Sequence, residues 1–201
     1  LIGLAEVIPA FTLALFAGWF VDKKEKRTMY LLCIVFYIFN ALLLAYLTSN
    51  VYTQSHSVKF IAWSIYAAMF LNGCIRAFLA PASFSLLPLL ISREKMSQAI
   101  TWSSTSWMLG SVLGPLCGGV LLAAIGITNT FVFAIGCLST SVLCIQKISK
   151  KPIHLSAKQG IVSGLAEGFK FVFSSQIILA VLCLDLFAVL FGGAEALLPI
   201  Y

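Results

Sequence analysis

Four ionisable side chains lie inside otherwise apolar stretches of this sequence: Glu6, Arg76, Asp185 and Glu195. A charged group at the centre of a bilayer costs roughly 2.5 to 3.5 kcal/mol on insertion scales, so each of these should face protein or water. A carboxylate shielded from water favours its protonated form and can exchange a proton near neutral pH. We therefore expect the four residues to form a pathway for protons or for a polar group of a substrate. Two alternatives stay open, a structural ion pair for Arg76 and contact with lipid headgroups for the two glutamates.

A basic loop ends the first apolar run and reads Gly-Trp-Phe-Val-Asp-Lys-Lys-Glu-Lys-Arg from Gly18 to Arg27. Its four cations fall within five residues: Lys23, Lys24, Lys26 and Arg27. Short loops rich in Lys and Arg stay on the cytoplasmic side of a membrane, so this loop orients every span that follows. Asp22, at a helix end beside these cations, can form a charge-assisted lock at the cytoplasmic face. The alternative is a solvated acid among lysines.

A stripe of small residues marks a third pattern. Glycines recur every four positions, at Gly110, Gly114 and Gly118. Pro115 follows the second of them and Gly119 follows the third. At 3.6 residues per turn the glycines form a smooth surface on which another helix can pack backbone to backbone. Pro115 removes one helical hydrogen bond and should bend the span there. Ordinary tight packing, with no moving part, is the alternative.

Composition indicates the class of protein that must position these groups. Of the 201 residues, 61% are hydrophobic and 10% are charged, and the mean hydropathy is +1.02. A soluble core of this size could not enclose so much apolar surface. Several windows of about 20 nearly charge-free residues match the ~30 Å of hydrocarbon that an α-helix crosses. The sequence therefore predicts an all-α, polytopic membrane helix bundle.

Other functional classes find little support. The net charge of +6 lies in loops beside apolar spans, so we assign it to membrane topology and expect no nucleic-acid partner. The six cysteines lie in apolar segments without a CxxC pair, and the two histidines are far apart, so we expect neither a metal site nor a cofactor. No HExxH, Walker or GxSxG motif is present, and we expect no catalytic residues and no enzyme activity.

Six spans follow from the apolar runs, at residues 1–21, 29–48, 59–92, 98–125, 131–146 and 177–201. A polar external loop separates the second span from the third, and a tight turn at residues 126–130 separates the fourth from the fifth. This topology places eleven of the thirteen Lys and Arg residues on the cytoplasmic side. Residues 1–146 then form an N-terminal bundle, residues 147–176 a cytoplasmic linker with an amphipathic helix, and residues 177–201 the first span of a second bundle.

Two of these patterns resemble motifs of the major facilitator superfamily. Its loop between the second and third helices has a glycine, an aspartate and basic residues that match Gly18, Asp22, Lys23, Lys26 and Arg27, with Glu25 at the position of a second glycine. The stretch from Gly110 to Gly119 resembles the fifth-helix motif GxxxGPxxGG of the antiporters in that family. The resemblance covers essentially all 201 residues. Within the family, the sequence is similar to the branch that exports enterobactin and macrolides.

The resemblance implies a partial major facilitator fold, with six of twelve spans, corresponding to the second to seventh helices of the family. We accordingly expect the sequence to be a piece of a longer chain. It also implies a secondary active transporter that exports a bulky amphipathic molecule, such as a drug, macrolide or siderophore, in exchange for protons by alternating access. The loop would act as a gate latch, and Arg76 resembles a member of the proton pathway.

The same resemblance implies a multi-pass protein of the bacterial cytoplasmic (inner) membrane, in contact with the lipid bilayer and monomeric. Three alternatives stay open at this point. The first is a lysophospholipid transporter or flippase of the same fold. The second is a membrane-embedded lipid-modifying enzyme such as an acyltransferase, although His154 has no acid within four residues. The third is a receptor or scaffold that keeps the helices without transport.

The predicted topology can be tested with reporter fusions in the full-length protein. A reporter fused after Ser55 should be extracellular, and one fused near Lys158 should be cytoplasmic, because the positive charges keep their loops inside. Alkaline phosphatase and green fluorescent protein read the two sides with opposite signals. The opposite signal at either position would contradict the six-span topology.

Overall fold

A computed structural model describes residues 2–49, 52, 54, 57–149 and 170–195. These residues are helical apart from short turns and contain no strand, which confirms the all-α prediction for the described part of the chain. In chain order the elements are α1 (Ile2–Lys23), α2 (Lys26–Leu47), α3 (Val58–Leu90), a 3-10 turn (Arg93–Lys95), α4 (Met96–Gln146) and α5 (Gln176–Glu195). Residues 170–174 are also helical, immediately before α5.

Three of the described helical segments are long and apolar enough to cross a membrane. They are α2, α3 and the segment Arg93–Gln146, which contains α4. Helix α1 adds a fourth if its two parts, Ala5–Ala14 and Phe16–Lys23, which meet at 56°, form one bent span. A shorter apolar helix, Gln176–Ala188, lies within α5. The helices therefore suit a membrane in length and in composition.

Helix α4 has 51 residues and a break at Gly126. A straight helix of that length would measure about 77 Å, more than twice the hydrocarbon thickness of a bilayer. Gly126 has φ 79° and ψ 169°, a conformation that a residue with a side chain rarely adopts. The predicted turn at residues 126–130 is thus reduced to this one glycine, and the second segment begins at residue 127. The described residues then contain six long helical segments in the predicted order.

Helix α3 packs against both α1 and α2, and α2 also packs against α4. The backbones of α1 and α3 approach each other closely at Gly73, which is buried. A Cβ atom at this position would lie 2.1 Å from the backbone oxygen of Glu6 and 2.7 Å from Cγ of Pro9, which is itself buried. Only glycine therefore allows the two backbones to come this close.

Two apolar clusters close the ends of this group of helices. One joins Leu44, Leu47, Tyr52 and Ala68, and it includes a residue of the predicted external loop, since Tyr52 is buried there. The other joins Val21, Met29 and Ala82 beside the basic loop. Many large apolar side chains outside these clusters are exposed, as expected of helices that face lipid.

The chain forms two compact units, Leu1–Leu155 and Ser156–Tyr201. All the packing above belongs to the first unit, and the second contributes α5. The three-part division at residues 146 and 176 stays a prediction, and most of the predicted amphipathic linker helix lies outside the described residues.

The close approach at Gly73 predicts a specific sensitivity. Gly73→Ala should lower the free energy of unfolding by about 1 to 3 kcal/mol, because the new methyl group must push α1 and α3 apart. Thermal unfolding of the purified full-length protein in detergent measures the change. The matched control is Gly136→Ala on α4, where no described atom lies within 4 Å of a new Cβ atom. Equal destabilisation by both variants would contradict the close contact.

Candidate functional site

Two of the predicted intramembrane charges form an ion pair. Nη1 of Arg76 on α3 donates a hydrogen bond of 3.0 Å to Oε1 of Glu6 on α1. The Glu6 side chain is 24% exposed and the Arg76 side chain 64% exposed. The carboxylate is therefore the more enclosed partner, while part of the guanidinium stays accessible to another ligand. Glu6 thus faces a neighbouring helix.

The ion pair lies beside the close packing of α1 on α3. Gly73 lies three residues before Arg76 on α3, so the close backbone contact and the ion pair share one helix face. The pair thus lies at the junction of α1 and α3.

A second polar contact lies one turn before Arg76 on α3. Nδ2 of Asn40 on α2 donates to Oδ1 of Asn72 at 3.5 Å, at the limit of hydrogen bonding. Asn40 is only 3% exposed, and its Oδ1 has no hydrogen-bond partner among the described residues. We did not identify either asparagine from the sequence, although an amide within a long apolar run is a usable signal.

The basic loop is held together by Lys26. Its Nζ donates to the backbone oxygen of Val21 at 2.6 Å and to Oδ1 of Asp22 at 3.3 Å. The Asp22 side chain remains 71% exposed, so the carboxylate can still accept further hydrogen bonds. Nζ of Lys23 lies 3.9 Å from the ring centroid of Trp19, within cation–π range. The structure therefore brings Asp22 and Lys26 together and leaves the acid accessible.

Arg27 connects this loop to the far end of α4. Its Nε donates to the backbone oxygen of Ile145 at 3.2 Å, and its Nη2 donates to that of Gln146 at 2.7 Å. A cation suits this place because the last carbonyl groups of a helix lack partners and carry partial negative charge. The motif indicated that Arg27 matters, but not that its partners lie 118 and 119 residues away.

The departure of the basic loop from the motif at Glu25 has a simple outcome. Glu25, at the position of the second glycine, has φ −66° and ψ 117°, which any residue can adopt. Its carboxylate accepts a hydrogen bond from the hydroxyl of Thr28. A Cβ atom at Gly18 would meet no described atom within 4 Å. The turn therefore forms without a second glycine.

The small-residue stripe of α4 is exposed or half-buried. A Cβ atom at Gly110, Gly114, Gly118 or Gly119 would meet no described atom within 4 Å, so no described helix packs against this surface. Pro115 lies within continuous helical backbone, and the break in α4 falls at Gly126 instead. The partner helix and the bend at Pro115 stay predictions.

The remaining candidate charges belong to the second unit. Asp185 is exposed on α5, and Glu195 ends that helix, with its side chain outside the described residues. Their roles stay predictions. Within the described ranges, no three His, Cys, Asp or Glu side chains come together as a metal site would require.

Comparison with known proteins decides the family. The sequence pattern of the Major Facilitator Superfamily matches residues 1–201. The chain belongs to this superfamily. The helical architecture agrees with a partial major facilitator bundle, and the apolar helices together with the family place the chain in a membrane.

Relatives in this superfamily include exporters. The multidrug efflux pump Tap of Mycobacterium tuberculosis is 33% identical over 82 residues, which cover 39% of this chain and 20% of the pump. The enterobactin exporter EntS of Salmonella typhimurium is 27% identical over 115 residues, or 55% of this chain and 28% of the exporter. YfiS of Bacillus subtilis, named an uncharacterized MFS-type transporter, is 21% identical over 208 residues, covering 100% of this chain and 47% of its own length.

The chain therefore spans about half or less of the length of these curated relatives. No solved structure matches it. The superfamily and the names of its relatives point to a transporter and away from an enzyme.

The ion pair predicts a compensating double substitution. Glu6→Gln leaves the Arg76 charge uncompensated and should destabilise the fold, whereas Glu6→Gln with Arg76→Gln should recover much of the loss. A double-mutant cycle on the full-length protein in detergent should give a coupling free energy of about 0.5 to 3 kcal/mol. The matched acid-to-amide control is Glu94→Gln in the 3-10 turn, which should change stability little. Additive effects of the two substitutions would contradict the pairing.

Proposed function

We propose that this protein is part of a secondary active transporter that exports an amphipathic small molecule in exchange for protons. Residues 1–146 would belong to the N-terminal bundle, residues 147–176 to a cytoplasmic linker, and residues 177–201 to the start of the second bundle. The two bundles would alternate in opening toward each side of the membrane. The family membership over residues 1–201 supports the fold that this mechanism needs.

The ion pair of Glu6 and Arg76 is the observation that carries the proton-coupled part of this proposal. Two opposite charges lie 3.0 Å apart between apolar helices. Ionisable residues within membrane spans are costly to insert and commonly mark proton or substrate pathways. A proton on Glu6 would neutralise the carboxylate and remove its charge–charge attraction to the guanidinium. Arg76 could then turn toward an anionic group of a substrate or toward another carboxylate.

Asp185 is the second candidate for proton exchange. It is one of the predicted intramembrane charges and lies about midway along α5, which belongs to the other compact unit. A carboxylate in each bundle would allow the proton and the substrate to be bound in turn during one cycle. Glu195, at the end of α5, is proposed as a further member of this pathway.

The basic loop is proposed as the cytoplasmic latch. Its side chains already connect the end of α1, the start of α2 and the end of α4, through Lys26 and Arg27. The exposed carboxylate of Asp22 would accept hydrogen bonds from the positive end of a further helix when the cytoplasmic side is closed. The glycine stripe from Gly110 to Gly119 would supply the smooth surface on which the bundles move.

Substrate, membrane and assembly follow by analogy with the relatives. Tap is named for multidrug efflux and EntS for enterobactin export, so drugs, macrolides and siderophores are the proposed substrate classes. The relatives are bacterial, and we propose the cytoplasmic membrane as the location. We also propose a monomer as the working unit.

Transport in proteoliposomes tests the proposal. Full-length protein in liposomes with an acidic interior should accumulate at least one of ethidium, erythromycin and enterobactin, and a trapped pH indicator should report alkalinisation on substrate addition. Asp185→Asn and Glu6→Gln should each reduce gradient-driven uptake roughly tenfold or more, because a proton gradient acts only through a site that binds protons. The control Glu94→Gln should transport normally.

Two results would count against the proposal. If no substrate in the set changes the internal pH, proton-coupled export is rejected. If uptake is driven by the gradient but both variants keep wild-type rates, these two carboxylates are rejected as proton sites, while transport itself stands.

A further inference from the structure

An apolar groove of about 340 Å³ lies on the first unit, between α2 and α3. Its α2 wall consists of six residues at helical spacing: Met29, Leu32, Cys33, Phe36, Phe39 and Asn40. The α3 wall includes Cys74 and Phe78, and Phe20 of α1 closes one end. The volume lies within the usual range for ligand pockets. Aromatic and aliphatic side chains form the lining, with Asn40 as the one amide among them.

The length of the groove matches one leaflet of a bilayer. From Met29 to Asn40 it follows α2 for about 16 Å at 1.5 Å per residue. That is close to half of the ~30 Å thickness of the hydrocarbon core. The rim residues Phe36 and Phe39 are exposed, so the groove opens at the side of α2. Its dimensions and its opening therefore suit a single acyl chain that enters from the membrane.

A cation stands at the end of the groove that meets the basic loop. Nζ of Lys24 lies 5.8 Å from the ring centroid of Phe20, which lines that end, and the rings of Phe20 and Phe78 meet edge to face with centroids 6.1 Å apart. The neighbouring cations Lys26 and Arg27 are engaged with Asp22 and with the end of α4. Lys24 is exposed and makes no ion pair among the described residues.

We propose that this groove binds an anionic phospholipid, with one acyl chain between α2 and α3 and the phosphate on Lys24. The apolar channel and the adjacent cation complement the two parts of such a lipid at the depths where a bilayer holds them. The site lies within a single unit and does not depend on the transport mechanism. The basic loop would thus be anchored at the leaflet that contains this lipid.

Lipid binding to the full-length protein in detergent tests the proposal by native mass spectrometry. The probes are phosphatidylglycerol, phosphatidylcholine with the same acyl chains, and glycerol phosphate, which carries the anion without chains. Lys24→Gln should weaken phosphatidylglycerol binding about fivefold and leave phosphatidylcholine unchanged. The matched charge control, Lys95→Gln in the exposed 3-10 turn, should bind as wild type.

A second pair of variants tests the groove itself. Leu32→Trp places a large ring at the groove wall and should weaken both lipids, whereas Val35→Trp, on the same helix but outside the lining, should not. The two positions are 49% and 52% exposed, so the variants are matched in accessibility. Unchanged thermal unfolding temperatures show that both variants fold.

The cysteines of the protein localise the bound lipid. Phosphatidylglycerol should slow alkylation of Cys74, which lines the groove, and should not slow alkylation of Cys137, which is exposed on α4 outside the lining. The proposal is overturned if Lys24→Gln and Lys95→Gln act alike, if Leu32→Trp and Val35→Trp act alike, or if Cys74 is not protected. Competition by glycerol phosphate would identify a free-anion site and would also overturn it.

Discussion

The close contact of α1 with α3 is the constraint on which the first unit depends. Inside a membrane, lipid tails are as apolar as leucine, so helices are not driven together by the hydrophobic effect and need close backbones or polar contacts instead. Both occur here on the same face of α3, where Gly73 lets the backbones meet and Arg76 reaches Glu6 across the interface. Helix α2 then packs on α3, and α4 packs on α2. The polar pair that is proposed to bind protons therefore also belongs to the packing that defines the fold, which links the charge state of Glu6 to helix association.

Much of this architecture was accessible from the sequence, because a bilayer imposes strong rules on composition. Apolar run lengths predicted six helical segments, and the described residues contain six when α4 is divided at Gly126. The basic loop and the association of Asp22 with Lys26 were also predictable, since the two residues are close in sequence. The break at Gly126 is narrower than the predicted turn, because one glycine with a positive φ changes the chain direction without further irregular residues.

The sequence could not predict which residues would meet across the fold. Periodicity identifies the face on which a residue lies but not the element opposite that face. Arg76 was accordingly compatible with a proton pathway and with an ion pair, and only the packing of α3 on α1 assigns Glu6 as its partner. The backbone oxygens that Arg27 contacts leave no trace in the sequence at all. The buried position of Asn40 was not predicted, because only ionisable residues within the apolar runs were considered and Asn40 is a neutral amide.

The hydrogen bonds of Arg27 determine how the contact between the basic loop and α4 tolerates substitution. Its hydrogen bonds end on the main chain of Ile145 and Gln146, and every amino acid carries the same carbonyl oxygen. Substituting either of those residues leaves the acceptor in place as long as the helix persists. These hydrogen bonds are therefore sensitive to substitution on one side only: replacing Arg27 removes the donor, whereas replacing Ile145 or Gln146 keeps both acceptors.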